Sequence, residues 1–242
     1  MKPVILITRA IEHATATQKD VEALGADTLL APLMDIQPVK GVEPISATTS
    51  ALIITSRNAL AGIKNLANIE TIPMFIVGKE TATLFKDAGF KHIVATAEQS
   101  ADLPRLIKAS VQPHAGALLH ITSEHAHTEF YEPLLDAGFG IDQRLVYTAD
   151  AIKQFDEATQ AAIQHNKLSG VLFYSARTAD IFNGLITAAG LQASTKQLSA
   201  FCLSNAVAAA LDKAGWKSLF VAKSPTHQAM MDCLRDCLAK GL

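Results

Sequence analysis

The chain has 242 residues, 49% hydrophobic and 18% charged, enough apolar material to bury one large core or two of ordinary size. A formal net charge of −2 offers no basic excess for nucleic acid or an anionic membrane surface. The three cysteines, Cys202, Cys233 and Cys237, are too sparse for a disulfide framework and suit a reducing compartment.

The opening MKPVILITRA has too short an apolar run for a signal peptide, and no segment reaches the ~18 apolar residues of a membrane span. A soluble, cytoplasmic protein is expected. Short apolar, β-branched runs then alternate with helical patterns. Strands are predicted at Val4–Thr8, Thr28–Ala31, Ala51–Thr55, Met74–Val77, His92–Ala95, Ala117–Thr122, Gly170–Tyr174, Ala200–Leu203 and Ser218–Ala222. Most of these runs are continuously apolar, the mark of strands buried on both faces. Helices are predicted at His13–Leu24, Asn58–Leu66, Glu80–Ala88, Ala101–Ser110, Thr128–Ala137, Phe155–Gln164, Thr178–Ala189, Ala206–Ala214 and Thr226–Lys240. Gly25, Gly89, Gly138, Gly190 and Gly215 follow helices, where a left-handed cap is expected. Alternation of this kind implies doubly wound parallel sheets.

One pattern occurs twice. VGKETATLFKDAGFKHIVATAEQS from Val77 aligns with LSNAVAAALDKAGWKSLFVAKSPT from Leu203, and ALIITSRNALAGIKNL from Ala51 aligns with GVLFYSARTADIFNGLI from Gly170. Two similar α/β domains are therefore expected, with a binding site between them. Two extended segments, Pro32–Pro44 and Gly140–Ile152, break the alternation. They suggest an insertion: residues 1–34 and 150–242 form a first domain, 40–142 a second, and 35–39 with 143–149 a two-stranded hinge ribbon.

A polar residue or glycine follows most strands: Thr8-Arg9, Ser56-Arg57, Gly78-Lys79, Ser123, Ser175-Ala176-Arg177, Ser204-Asn205 and Ser224. In a doubly wound sheet these all stand at the carboxyl edge, where ligands bind. Singly, each serine or threonine reads as an ordinary helix N-cap. Together, Arg9, Arg57, Lys79 and Arg177 beside helix starts point to a polyanionic ligand. No GxGxxG, GxxxxGK[ST] or GxSxG is present. The stretch HITSEHAHTEF places His120, Glu124, His125, His127 and Glu129 close together, but its spacing fits no zinc motif, and a polar helix start is the preferred reading. Cys202 reads as a core thiol. Cys233 and Cys237, four apart, share one helix face and read as packing. Tyr147, in the returning ribbon segment, serves either as apolar packing with a wet hydroxyl or as a proton donor to a leaving group.

The strings ILITRA, PLMDI, IITSRNAL, VGKETA, Val146-Tyr147, LFYSARTA and VAKSPTHQAMMDCL, in this order and spacing, resemble the uroporphyrinogen-III synthase family over essentially the whole chain. The resemblance implies two flavodoxin-like domains joined by a two-stranded ribbon, no cofactor, no metal, and a monomer. It implies cyclisation of hydroxymethylbilane, a linear tetrapyrrole octacarboxylate, to uroporphyrinogen III with release of water and inversion of ring D. Tyr147 matches the family tyrosine held to help water leave. Thr8, Arg9, Ser56, Arg57, Lys79, Thr81, Ser123, Ser175, Arg177, Ser204, Asn205 and Thr226 become the implied substrate-binding set. Where the family has GPxTA, this chain has Ser204-Asn205-Ala206-Val207-Ala208, so a family hydroxyl is replaced by Val207. The alternative expectation is a non-catalytic two-lobed protein of the same fold that binds an anion or a tetrapyrrole.

Overall fold

The computed structural model describes residues 2–64, 66, 69–126, 128–211 and 215–241. In chain order the elements are β1 (Val4–Ile7), α1 (Ile11–Ala23), β2 (Asp27–Leu30), β3 (Met34–Pro38), β4 (Thr49–Ile54), α2 (Ala59–Ile63), β5 (Met74–Val77), α3 (Lys79–Asp87), β6 (Ile93–Ala97) and α4 (Leu103–Lys108). There follow β7 (Ala117–Thr122), α5 (Glu132–Leu135), β8 (Ile141–Leu145), β9 (Tyr147–Ala151), α6 (Glu157–Gln164), β10 (Gly170–Phe173), α7 (Ala176–Ala188), α8 (Gln192–Thr195), β11 (Ser199–Cys202), α9 (Asn205–Leu211), β12 (Ser218–Val221) and α10 (His227–Leu238). The end of the helix predicted over 206–214 lies outside the described residues.

Two compact units result, one of Met1–Asp35 with Asp150–Leu242, the other of Ile36–Ala149. The first holds a sheet of order β12-β11-β10-β1-β2, the second a sheet of order β6-β5-β4-β7-β8, and every strand pair recorded in them is parallel. Numbered within its own unit, the first order is 2-1-3-4-5 and the second 3-2-1-4-5. The internal repeat reconciles them. It equates β10, β11 and β12 with β4, β5 and β6, so β1 and β2 fall opposite β7 and β8. The two sheets have one layout, entered by the chain at different strands.

The continuous apolar runs are explained by two-sided burial. In the first unit Leu6, Val171, Phe173, Ala200 and Cys202 face a core shared with Phe182 and Ile186 of α7 and Leu211 of α9. Their neighbours Ile5, Ile7, Leu172 and Phe201 face the opposite core, shared with Ala14 and Val21 of α1 and Met230 and Leu234 of α10. Cys202 is fully buried, and Cys233 and Cys237 are partly buried against the α10 core. In the second unit Ala51, Ile53, Phe75 and Ala97 pack with Leu103, Ile107, Phe130 and Leu134. The five glycines singled out after helices all have positive φ.

The return crossing is divided in a way its pattern does not announce. Gln143–Leu145 belong to β8 and pair with His120–Thr122 of β7. The ribbon, an antiparallel pair of β3 and β9, therefore takes its return strand from Tyr147 onward. As an edge strand β8 has no fully buried residue, and so it reads like a ribbon.

Candidate active site

All strands of each sheet run the same way, so their carboxyl ends share one edge. In the first unit this edge carries Thr8-Arg9 after β1, Tyr174-Ser175-Arg177 after β10, Ser204-Asn205 at the start of α9, and Thr226 before α10. The order of the strands reverses between β1 and β10, and such a switch point is the usual ligand crevice of an open α/β sheet.

The hydroxyls at this edge differ in their commitments. Thr8 is buried and donates to the Leu172 carbonyl at 2.7 Å, which ties β1 to β10. Ser175 caps α7, its oxygen accepting from the Thr178 N–H at 3.1 Å, and Thr226 caps α10, accepting from the Ala229 N–H at 3.3 Å. The capping reading therefore holds for Ser175 and Thr226 and not for Thr8. Arg9 sends Nη1 to the Thr17 hydroxyl at 3.0 Å and lays its guanidinium 3.9 Å over the Tyr174 ring. Arg177, in the first turn of α7, is half-buried.

The second unit repeats the arrangement with different chemistry. Ser56-Arg57 follow β4, Lys79 and Thr81 open α3 after β5, and Ser123 follows β7. The order reverses between β4 and β7. Gly78 precedes α3 with φ 87°, a conformation that favours glycine, and no side chain caps this helix. Lys79 is exposed and Thr81 half-buried, while Ser123 is buried. Arg57 lies 3.9 Å from the Glu80 carboxylate, so part of its charge is already answered.

His120 of β7 is wholly buried. Its Nε2 meets the Thr55 hydroxyl at 2.9 Å and its Nδ1 the Tyr131 hydroxyl at 2.6 Å, and Tyr131 also accepts from the Gln143 amide at 2.9 Å. Burial pushes the imidazole down to about 4, so it is neutral near neutral pH. Burial raises the Tyr131 phenol, opposed by its bond to Gln143. The histidine-rich stretch thus contributes a structural hydrogen-bonded histidine. His125 and Glu129 lie on turns, and His127 lies outside the described residues. Among the described residues no group of three or more His, Cys, Asp or Glu is placed to hold a metal ion. Burial, first, and then Cys237 push the Cys233 thiol up to about 11, which makes it a poor nucleophile.

Tyr147 opens β9 and is 5% exposed. The residue before it, Val146, is fully buried and its carbonyl accepts from the Val39 N–H at 2.9 Å. Backbone bonds on the outgoing segment thus set where the phenol stands.

The family model for uroporphyrinogen-III synthase HemD matches residues 15–232. The chain belongs to the uroporphyrinogen-III synthase family. Two solved structures share its fold. Uroporphyrinogen-III synthetase from Helicobacter pylori is 20% identical, with a TM-score of 0.66 over 99% of this chain and 100% of that one. A mutant uroporphyrinogen III synthase from Thermus thermophilus is 15% identical, with a TM-score of 0.57 over 98% of this chain and 99% of that one. No curated protein sequence matches.

Within a uroporphyrinogen-III synthase frame, the departure at Val207 gains a structural explanation. Val207 is 3% exposed and packs into the core with Phe173, Phe182 and Leu211, so in this chain the position serves the interior. Sequence reasoning missed Tyr174, His227 and Asp20, which meet at the edge of the first unit. The available signal was a polar aromatic closing an apolar strand in LFYS. Its partners stand 53 and 154 positions away in the chain, and only the topology brings them together.

Proposed function

We propose that this protein is a uroporphyrinogen-III synthase that cyclises hydroxymethylbilane to uroporphyrinogen III, with loss of water and inversion of ring D. The observation that carries the reading is the family match across residues 15–232. The geometry supports it. The reaction needs one proton donor for the departing hydroxyl and a grip on a flexible octacarboxylate, and the latter works by positioning. Two strand edges rich in hydroxyls, helix starts and cations suit the grip. On this reading Thr8, Arg9, Ser56, Arg57, Lys79, Thr81, Ser123, Ser175, Arg177, Ser204, Asn205 and Thr226 serve the substrate, with Thr8 acting mainly by holding β1 against β10.

Tyr147 is the proposed general acid. The leaving hydroxyl takes the phenolic proton as the terminal carbon–oxygen bond breaks, which gives water and, with its pyrrole N–H still in place, an azafulvenium cation. The substituted carbon of ring D attacks this cation to form a spiro intermediate, which fragments and recloses with the ring turned over, and the proton that ring D loses on closing restores the phenol. A general acid of this kind contributes about 10²–10⁴-fold. The proposal includes a monomer in the cytoplasm. No described helix is long and apolar enough to cross a membrane.

The test is direct. Hydroxymethylbilane generated in place by its synthase is presented to the purified protein, and the oxidised products are separated by isomer. Type III isomer is expected. Type I alone, at the rate seen without protein, would defeat the assignment.

A further inference from the structure

At the switch point of the first unit, four side chains from four elements form one chain of contacts. Arg9, after β1, stacks on the Tyr174 ring at 3.9 Å. The Tyr174 hydroxyl, after β10, meets Nδ1 of His227 at 2.7 Å, and the two rings lie stacked with centroids 5.9 Å apart. His227 is the first residue of α10, and its Nε2 meets Asp20 of α1 at 2.9 Å. The imidazole is one-quarter exposed and the carboxylate about half exposed. The repeat places Thr55 where Tyr174 stands, so this arrangement belongs to one edge only.

The proton positions follow from the partners. Asp20 only accepts, so Nε2 carries a hydrogen. In the neutral ring Nδ1 is then a bare lone pair, and the Tyr174 hydroxyl must donate to it. In the protonated ring Nδ1–H donates instead to the phenol oxygen, and the phenol proton is released toward the strand edge. One proton from solvent makes the whole difference, and no covalent bond beyond N–H changes.

We propose that Tyr174 donates a hydrogen bond to a substrate carboxylate at this edge, and that His227 and Asp20 are positioning residues that decide when its proton is available. The proposal rests on the reading of the substrate as a polycarboxylate. Where the ring is neutral, binding a carboxylate through the phenol proton requires a proton to be taken up at His227. Asp20 from α1, Tyr174 from the end of β10, and Arg9 from the end of β1 across the Tyr174 ring bring charge or titratable groups to that ring. The resulting imidazolium sits between the Asp20 carboxylate and the incoming one, and the Arg9 cation flanks the same phenol.

Two measurements test this. The first needs no ligand. Nitrogen NMR of histidine-labelled protein, with the His227→Gln variant for assignment, should show the neutral His227 ring carrying its hydrogen on Nε2. A hydrogen on Nδ1 overturns the proposal. The second is calorimetry with uroporphyrin III, an octacarboxylate tetrapyrrole, in two buffers of different ionisation heat. Wild-type protein should take up more protons than Tyr174→Phe or His227→Gln, and its affinity should fall with rising pH by up to about tenfold per pH unit, the slope of one linked proton. In turnover of hydroxymethylbilane the same dependence should appear in KM and not in kcat, and vanish in both variants. Equal proton uptake in all three proteins, or no binding of uroporphyrin III by the wild type, overturns the proposal. Absence of type III product at every pH, with the proton linkage intact, would instead refute the catalytic assignment alone.

Discussion

Gly62 of α2 presses on the backbone of Val146: a Cβ placed on the glycine would stand 2.0 Å from the Val146 carbonyl oxygen. That carbonyl also accepts from Val39, and the next residue is Tyr147. A glycine in a five-residue helix is therefore part of what holds the proposed acid in place. Gly62→Ala must push the helix or the strand aside, since the obstacle is backbone and cannot rotate away. Overpacking of this kind costs about 1–3 kcal/mol. Urea unfolding should show the loss, and turnover should fall further than the lost stability explains. An alanine variant as stable and as active as the parent would mean that the two segments move apart freely.

Tyr147→Phe removes one oxygen and keeps the packed ring. Turnover should fall by about 10²-fold or more. The unfolding midpoint should barely change, because a buried ring retains its apolar area. Parental kcat in this variant would take Tyr147 out of the chemistry and leave its burial as its role.

His120 supplies a pH dependence of stability with a definite sign. Its ring titrates near 6.5 when the chain is unfolded and at about 4 in the folded protein. Between those values the unfolded chain holds the extra proton, so stability is complete above about pH 6.5 and is lost as the pH falls toward 4. The whole effect is about 3 kcal/mol. Denaturant unfolding at pH 7 and pH 5 should show a steeper acid loss in the parent than in His120→Gln, where no imidazole remains to protonate. Matching slopes in the two proteins would place the ring in contact with water.

Arg177 is the second residue of α7, close to a serine whose oxygen is already used as the cap. If the first edge grips carboxylates, Arg177→Ala should raise KM by about tenfold and leave kcat close to the parent value. Steady-state kinetics at low and moderate salt would show the gap narrowing as salt screens the contact. An unchanged KM at low salt would mean that this side chain points away from the substrate.

How much of this could be read from the chain varies with the physics involved. Strands buried on both faces declare themselves, because Val4–Ile7 and Gly170–Phe173 must be apolar at every position to serve two cores. The repeat is legible for the same reason: β4 and β10 solve one packing problem twice. β8 was hidden because an edge strand with no fully buried residue looks like a ribbon. α8, four residues long, is too short to show a helical period. At the site, residue types at strand ends were legible, and their commitments were not. Thr8 and Ser175 look alike in sequence. One hydroxyl ties strands together and the other caps a helix, a difference decided by where the neighbouring carbonyl or N–H falls. Of the Tyr174–His227–Asp20 chain only the tyrosine left a mark in the sequence, since its partners come from opposite ends of the chain.

Val207 allows the relation between this chain and its family to be tested from the opposite direction. The family pattern has a threonine there, and Val207→Thr restores it without changing the shape of the side chain. In this protein the position is buried among Phe173, Phe182 and Leu211. The new hydroxyl would lose water, at a cost of about 1–3 kcal/mol if unpaired and less if it bonds back to the Leu203 carbonyl four residues earlier. The variant should therefore unfold at lower urea and show no gain in kcat/KM. A rise in kcat/KM would mean that the side chain at 207 reaches the substrate during turnover, and that the hydroxyls at Ser204 and Thr226 do not fully replace the one this chain lacks.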